Sequence, residues 1–138
     1  MWQYEHAVDT DATREAIWHL WADVAGWGTW NADIEKIEID GPFAAGSRIT
    51  MTPRGEDPVS LRIDEATENR GFVDEARFEG LVLRTAHRAE RLDDGGTRVV
   101  YRMEITGDAA DELGPRIGPA VTGDWPETMA ALVALARR

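Results

Sequence analysis

The chain has 138 residues, a formal net charge of −11 and no cysteine. That length suits one domain with its own core. The charge repels nucleic-acid phosphates and anionic membranes, and the missing thiols exclude cysteine catalysis, thiolate metal sites and a disulfide framework.

No apolar run approaches the ~18 residues of a membrane span. The start, Met1 to His6, lacks the basic stretch and apolar core of a signal peptide, so the cytoplasm is the expected compartment. Lys36 is the only lysine and sits in a very polar context, so Schiff-base chemistry would rest on it alone.

Trp2, Tyr4, His6 and Val8 alternate with Gln3, Glu5, Ala7 and Asp9, which predicts a first strand with one inward face. Asp11 or Thr13 can cap a helix that ends near Asp23, with Ile17, Leu20, Trp21 and Val24 on one side. Gly26 and Gly28 punctuate a second short helix or tight turn carrying Trp27 and Trp30. The period then changes to two. Glu35, Ile37 and Ile39 share one face of a strand; Ile49 and Met51, then Val59, Leu61 and Ile63, share faces of the next two. Turns are predicted at Gly41–Gly46, Pro53–Pro58 and Asn69–Gly71. Phe72 to Phe78 reads as a fifth strand whose phase is ambiguous, so Asp74 is either inward with Phe72 and Ala76 or in water. Leu81, Leu83, Thr85, His87 and Ala89 share a face of the sixth. Asp93-Asp94-Gly95-Gly96 is a hairpin signal, and Thr97, Val99, Tyr101, Met103 and Ile105 face one way on the seventh.

From Leu113 to Ala136 the period changes again. Leu113, Ile117, Val121, Trp125, Met129, Leu132, Val133 and Ala136 fall on one helical face. Pro126 interrupts that helix, so a bend is expected near Gly123, in one kinked helix rather than two separate ones. The whole is an α+β domain: one strand, two short helices, six hairpin-linked strands and a long C-terminal helix lying in the concave side of a curved seven-stranded antiparallel sheet.

At this level of organisation the chain resembles a known family. Ala16-Ile17-Trp18-His19-Leu20-Trp21-Ala22-Asp23 followed by Trp27 and Trp30, Gly41-Pro42-Phe43 with Gly46, and the closing helix are similar to the polyketide cyclase/dehydrase branch of the START-like (Bet v 1-like, SRPBCC) superfamily. The resemblance implies a helix-grip fold over residues 1–138, with a cavity for apolar or amphipathic small molecules. Relatives include polyketide aromatases and cyclases and carriers of hormones and lipids. Fold does not decide among these activities.

His87 and Tyr101, inward on neighbouring strands, are the candidate catalytic pair. The imidazole suits general acid–base work and the phenol suits orienting a carbonyl or phenolate. The competing reading is a semi-buried histidine bonded to a neighbour or water, and a core tyrosine. The expected ligand-binding set is Trp27, Trp30, Met51, Phe78, Leu83, His87, Tyr101, Met103, Trp125 and Met129, large rings and flexible thioethers that suit an adaptable apolar pocket or, equally, a filled core. His6, read as inward, His19, read as solvated, and His87 have no metal-ligand spacing, and no cofactor motif is present. Ser47 and Ser60, the only serines, sit in no nucleophile elbow.

The expected function is binding of a hydrophobic or aromatic small molecule between sheet and C-terminal helix, with cyclase- or dehydratase-like activity as its enzymatic extension; catalysis itself is left open. The alternative is a non-catalytic, chaperone-activator-like interaction module with a filled core. Neither nucleic acid nor a spanned membrane is an expected partner, and the protein is expected to be a monomer or a homodimer.

Overall fold

Seven strands form one antiparallel sheet, in the order β1-β7-β6-β5-β4-β3-β2, with every hairpin-linked pair adjacent. The computed structural model describes residues 1–138. The strands are β1 (Trp2–Thr10), β2 (Ile34–Ile39), β3 (Arg48–Pro53), β4 (Val59–Thr67), β5 (Gly71–Phe78), β6 (Leu81–Arg91) and β7 (Thr97–Thr106). Helix α1 (Arg14–Ala22) and a 3-10 helix (Val24–Thr29) follow β1, and α2 (Ala110–Thr122) and α3 (Trp125–Ala136) close the chain. Thr13 caps α1, its hydroxyl accepting from the Ala16 backbone N–H at 3.2 Å. Asp23 is the C-cap residue.

Two bulges change the face that simple alternation assigns. The register slips between Ile34 and Lys36, so Ile34 is buried and Glu35 is exposed, where alternation grouped Glu35 with Ile37 and Ile39. A second slip, between Ile63 and Glu65, leaves Asp64 as the extra residue. Asp64 and Glu65 then both reach Arg84, at 2.6 and 3.1 Å, with Glu75 joining at 3.0 Å. Ala66 returns to the inner row opposite Phe72.

The C-terminal helix is bent where expected. Gly123 (φ −61°, ψ −25°) and Asp124 (φ −92°, ψ −2°) keep right-handed helical angles, while the missing N–H of Pro126 breaks the ladder between α2 and α3. The packed stripe differs in α2. Its buried residues are Ala110, Gly114, Gly118 and Thr122, and Val121 is 42% exposed. The reason is Trp2: a Cβ on Gly118 would lie 2.6 Å from its ring atoms, and one on Gly114 2.6 Å from its Cβ. The glycines let the indole lie against the helix backbone, so small residues mark the packed face. Pro115 and Pro119 lie on the exposed side of α2, where water serves the carbonyls they leave unpaired.

In the backbone, α2 runs closest to β1 and β7, α3 to β1 and α1, α1 to β6 within the sheet, and the 3-10 helix to β2. The inner side chains of the far half of the sheet, Ile37, Ile39, Met51, Val59 and Leu61, are only partly buried, whereas Ile49 and Ile63 are fully enclosed.

Gly118→Ala is expected to lower stability by about 1–2 kcal/mol in urea melts, because overpacking against Trp2 outweighs alanine's helical preference. Gly28→Ala, where a Cβ meets nothing within 4 Å, is expected to leave stability unchanged. A Gly118→Ala protein as stable as the parent would show that Trp2 does not constrain the helix.

Candidate functional site

Ladder register assembles the site. His6 pairs with Tyr101, Tyr101 with His87, His87 with Phe72 and Phe72 with Ala66, one row across five strands on the inner face. The next row runs Tyr4, Met103, Thr85, Asp74 and Ile63. This pairing settles the phase of β5: Asp74 points inward with Phe72 and Ala76, and is 6% exposed.

The first row is closed over by rings. Phe72 and His87 are stacked, with centroids 3.9 Å apart and planes 5° off parallel. Trp21 from α1 meets Phe72 edge-on at 5.4 Å and donates its indole N–H to the Tyr101 hydroxyl at 3.1 Å. Trp125 from α3 meets the Tyr101 ring edge-on at 5.6 Å, and Phe43, from the turn before β3, meets Phe72 at 5.0 Å.

Each polar group in this interior has a defined role. His87 Nδ1 lies 3.2 Å from the Phe72 carbonyl oxygen; the hydrogen on Nδ1 donates there, which leaves Nε2 as an acceptor. Burial pushes the imidazole down to about 3, against the weaker opposing effect of that hydrogen bond. It is therefore neutral at pH 7 and a weak proton acceptor, better suited to hold a donor than to abstract a proton. Burial raises Tyr101 well above the usual phenol range; it keeps its proton, and that proton has no protein acceptor. Asp74 has neither a hydrogen bond nor an ion pair, and burial alone lifts its carboxyl to about 7. Trp30 Nε1 is the one buried side-chain nitrogen or oxygen both sealed from solvent-sized space and unpartnered. The Asp74 oxygens and His87 Nε2, also unpartnered, consequently border residual space.

Of the ligand-binding residues expected from sequence, Leu83, Tyr101, Met103, Trp125 and Met129 are packed in the core, with the His87 ring 4.6 Å from that of Tyr101. Trp27 and Trp30 are buried together, centroids 5.8 Å apart, in the corner after α1, with Trp27 5.9 Å from Phe72. Met51 lies on the half-covered part of the sheet. Phe78 is at the end of β5, 49% exposed and apart from the others. Sequence reasoning did not bring in Trp21, Phe72 or Thr85, and left Asp74 undecided. The available signal was the parity Thr85 shares with His87. Two open concavities lie elsewhere and exclude Asp74. One, of about 870 Å³, is on the outer sheet face over Ala7, Ala86 and Val100, rimmed by Arg88, Arg98 and Arg102 among others. The other, of about 460 Å³, lies beside the helix bend against Trp30 and Asp124.

No family model and no curated protein matches the sequence. Solved structures do match in fold. Norcoclaurine synthase from Thalictrum flavum, in complex with dopamine and hydroxybenzaldehyde, superposes with a TM-score of 0.75 at 14% identity, over 96% of this chain and 84% of that one. Ara h 8.0201 gives 0.75 at 14%, over 97% and 96%. The di-domain ARO/CYC BexL, from the BE-7585A biosynthetic pathway, gives 0.81 at 11%, over 99% of this chain and 50% of that one. The chain has the Bet v 1-like helix-grip fold that these proteins share. Identities this low carry the fold and no activity.

The two shifted groups impose opposite pH dependences. A raised Asp74 contributes stability that is complete below its ordinary value of 3.8 and lost as pH rises through about 7. A lowered His87 contributes stability that is complete above 6.5 and lost as pH falls towards about 3. Between pH 4 and 6.5 the two oppose each other. Asp74→Asn, relative to the parent, is expected to gain stability as pH rises from 4 to 7, by a few kcal/mol (~1.4 per pKa unit). His87→Leu is expected to gain relative stability as pH falls over that range. Parallel pH profiles for both variants and the parent, in denaturant melts, would show that neither group titrates abnormally.

Proposed function

We propose that the protein binds a small molecule with an aromatic or apolar body on the inner face of the sheet, between β3–β6 and the helices. The observation that carries this reading is Asp74, a carboxylate more than nine-tenths buried, facing inward, with no protein partner. Stability alone does not favour such a group, since burying a charge without a partner costs several kcal/mol and an apolar residue at that position would avoid the cost. Around it the available acceptors and donors converge: Asp74, Nε2 of His87, the free hydroxyl proton of Tyr101 and the Thr85 hydroxyl. A few polar groups in an otherwise apolar enclosure are what a small-molecule site needs for orientation. Met51 and Leu61, partly buried on β3 and β4, offer the apolar approach. Leu83, Met103 and Met129 form the wall behind, and Trp27, Trp30 and Trp125 close the ends.

The cyclase- or dehydratase-like extension assigns orientation of a carbonyl to Tyr101 and proton exchange to Asp74, the group whose ionisation lies nearest neutrality, with His87 as hydrogen-bond acceptor. A second reading, docking of another macromolecule on a filled domain, is favoured by the 22-residue core cluster and by the concavity on the outer face.

Native mass spectrometry of the protein as purified, with a thermal-shift panel of neutral aromatics and fatty alcohols, separates the readings. Interior binding is expected to give a retained small-molecule mass or a raised Tm, by about 2.7 kcal/mol of added stability at a hundredfold excess over Kd. Met51→Arg, which puts a charge in the approach, is expected to abolish the shift and leave the fold intact. A clean apo mass with no shift from any compound, neutral or charged, would overturn the interior reading in favour of surface docking.

A further inference from the structure

The geometry points to a protonated amine on an aromatic or apolar body as the ligand of this interior, with Asp74 as its counter-ion at the edge of the Phe72–His87–Tyr101–Trp21 ring cluster. This rests on the interior-binding reading above and names the ligand class within it.

When ionised, Asp74 calls for a cation that the protein does not supply. Arg77 and Arg84, on the same and the neighbouring strand, point to the outer face; Arg84 is held there by Asp64, Glu65 and Glu75. Among the elements packed around Asp74, the titratable groups turned inward are His87 on β6, Tyr101 on β7, and His6 and the phenol Tyr4, which brings no positive charge, on β1. His87 is neutral, Tyr101 carries no positive charge, and His6 lies three strands away in the sheet order. From the helices, Trp21, Trp125 and Met129 bring rings and a thioether. The positive partner therefore has to come from outside the chain, as a small molecule.

The surroundings select a cation over a neutral donor. Phe72, two residues from Asp74 on the same face, Trp21 and Tyr101 present aromatic rings, which attract a cation more strongly than a hydroxyl. The net charge of −11 draws cations towards the protein and repels anions. Thr85, the ladder partner of Asp74, and Tyr101 offer oxygens for the remaining ammonium hydrogens. The partly buried Met51 and Leu61 leave apolar surface for the rest of the molecule. An ammonium beside Asp74 favours the ionised carboxylate, so binding releases a proton near neutral pH.

The test is isothermal titration calorimetry of the intact protein with matched series on one body: benzylamine, 2-phenylethylamine and 2-(1-naphthyl)ethylamine against the corresponding alcohols, with 3-phenylpropanoate as the anion. At least one amine is expected to bind at least tenfold more tightly than its alcohol, and the anion not to bind. Amine affinity is expected to rise from pH 5.5 to 8, with proton release read from buffers of different ionisation enthalpy. Asp74→Asn is expected to remove the amine's advantage over its alcohol, while Gly28→Ala, whose added Cβ meets nothing within 4 Å, keeps it. Alcohols binding as tightly as amines, or amines binding without proton release, would overturn the amine assignment and leave the apolar site standing. Silence from both series, together with a silent apolar panel, would remove the site itself. If Asp74→Asn fails to fold, the amine-to-alcohol ratio and its pH dependence in the parent protein decide alone.

Discussion

Trp21 donates its indole hydrogen to Tyr101 across 3.1 Å, and the inside of the domain is arranged around that bond. It ties α1 to β7, the strand that pairs with both β1 and β6. Trp21 has no exposed surface, and its backbone carbonyl accepts the Trp27 indole hydrogen at 2.9 Å, which seats the 3-10 helix as well. With the Tyr101 oxygen engaged as acceptor, its proton is left to point at something other than Trp21. The same bond that packs the core thus leaves a donor unspent within it.

The ladder gives this arrangement its precision. Row by row, the register sets His87 beside Tyr101 and Asp74 beside Thr85, so polar groups distant in sequence become neighbours with fixed spacing. Helical cover over the sheet is uneven. Where α2 runs close to β1 and β7, and α3 to β1, inner residues such as Val99 and Ile105 lose all exposure, while Ile37, Met51 and Leu61 across the sheet keep some. Asp74 sits on the central strand between these halves. A carboxylate there is near enough to the rings to be desolvated and near enough to the thinner cover for its oxygens to border open space.

Much of this was legible in the sequence. Alternation in β1, β6 and β7 gave the correct inner faces, and Pro126 with Gly123 gave the bend. Three features resisted for separate physical reasons. A bulge shifts parity without changing composition, so Glu35 was grouped with Ile37 until register placed Ile34 inside. Periodicity of apolar residues is blind to a packed face made of glycines, so Val121 was read into a stripe that Gly114 and Gly118 occupy. Asp74 could not be phased from β5 alone, because Phe72 and Ala76 share its parity while Val73 competes from the other; its cross-strand partner Thr85 resolves the matter. Phe78, with the parity of Phe72, ends up half exposed because β5 finishes there.

The charged outer face clarifies why the inner carboxylate stands apart. On the outside, several acidic groups are matched: Asp9 with Arg98 at 2.8 Å, and Asp64, Glu65 and Glu75 with Arg84. These pairs are largely in contact with water and contribute little to stability individually. They do fix where the arginines are, and every arginine so held is unavailable to the interior. The bulge at Asp64 strengthens the effect by sending two consecutive carboxylates outward to one guanidinium. The domain thus combines many acidic side chains, arginines such as Arg84 and Arg98 held on the outer face of the sheet, and a single enclosed carboxylate on the inner one. In such an enclosure the carboxyl either stays protonated or takes its cation from solution, and the balance between those states near pH 7 is set by desolvation on burial.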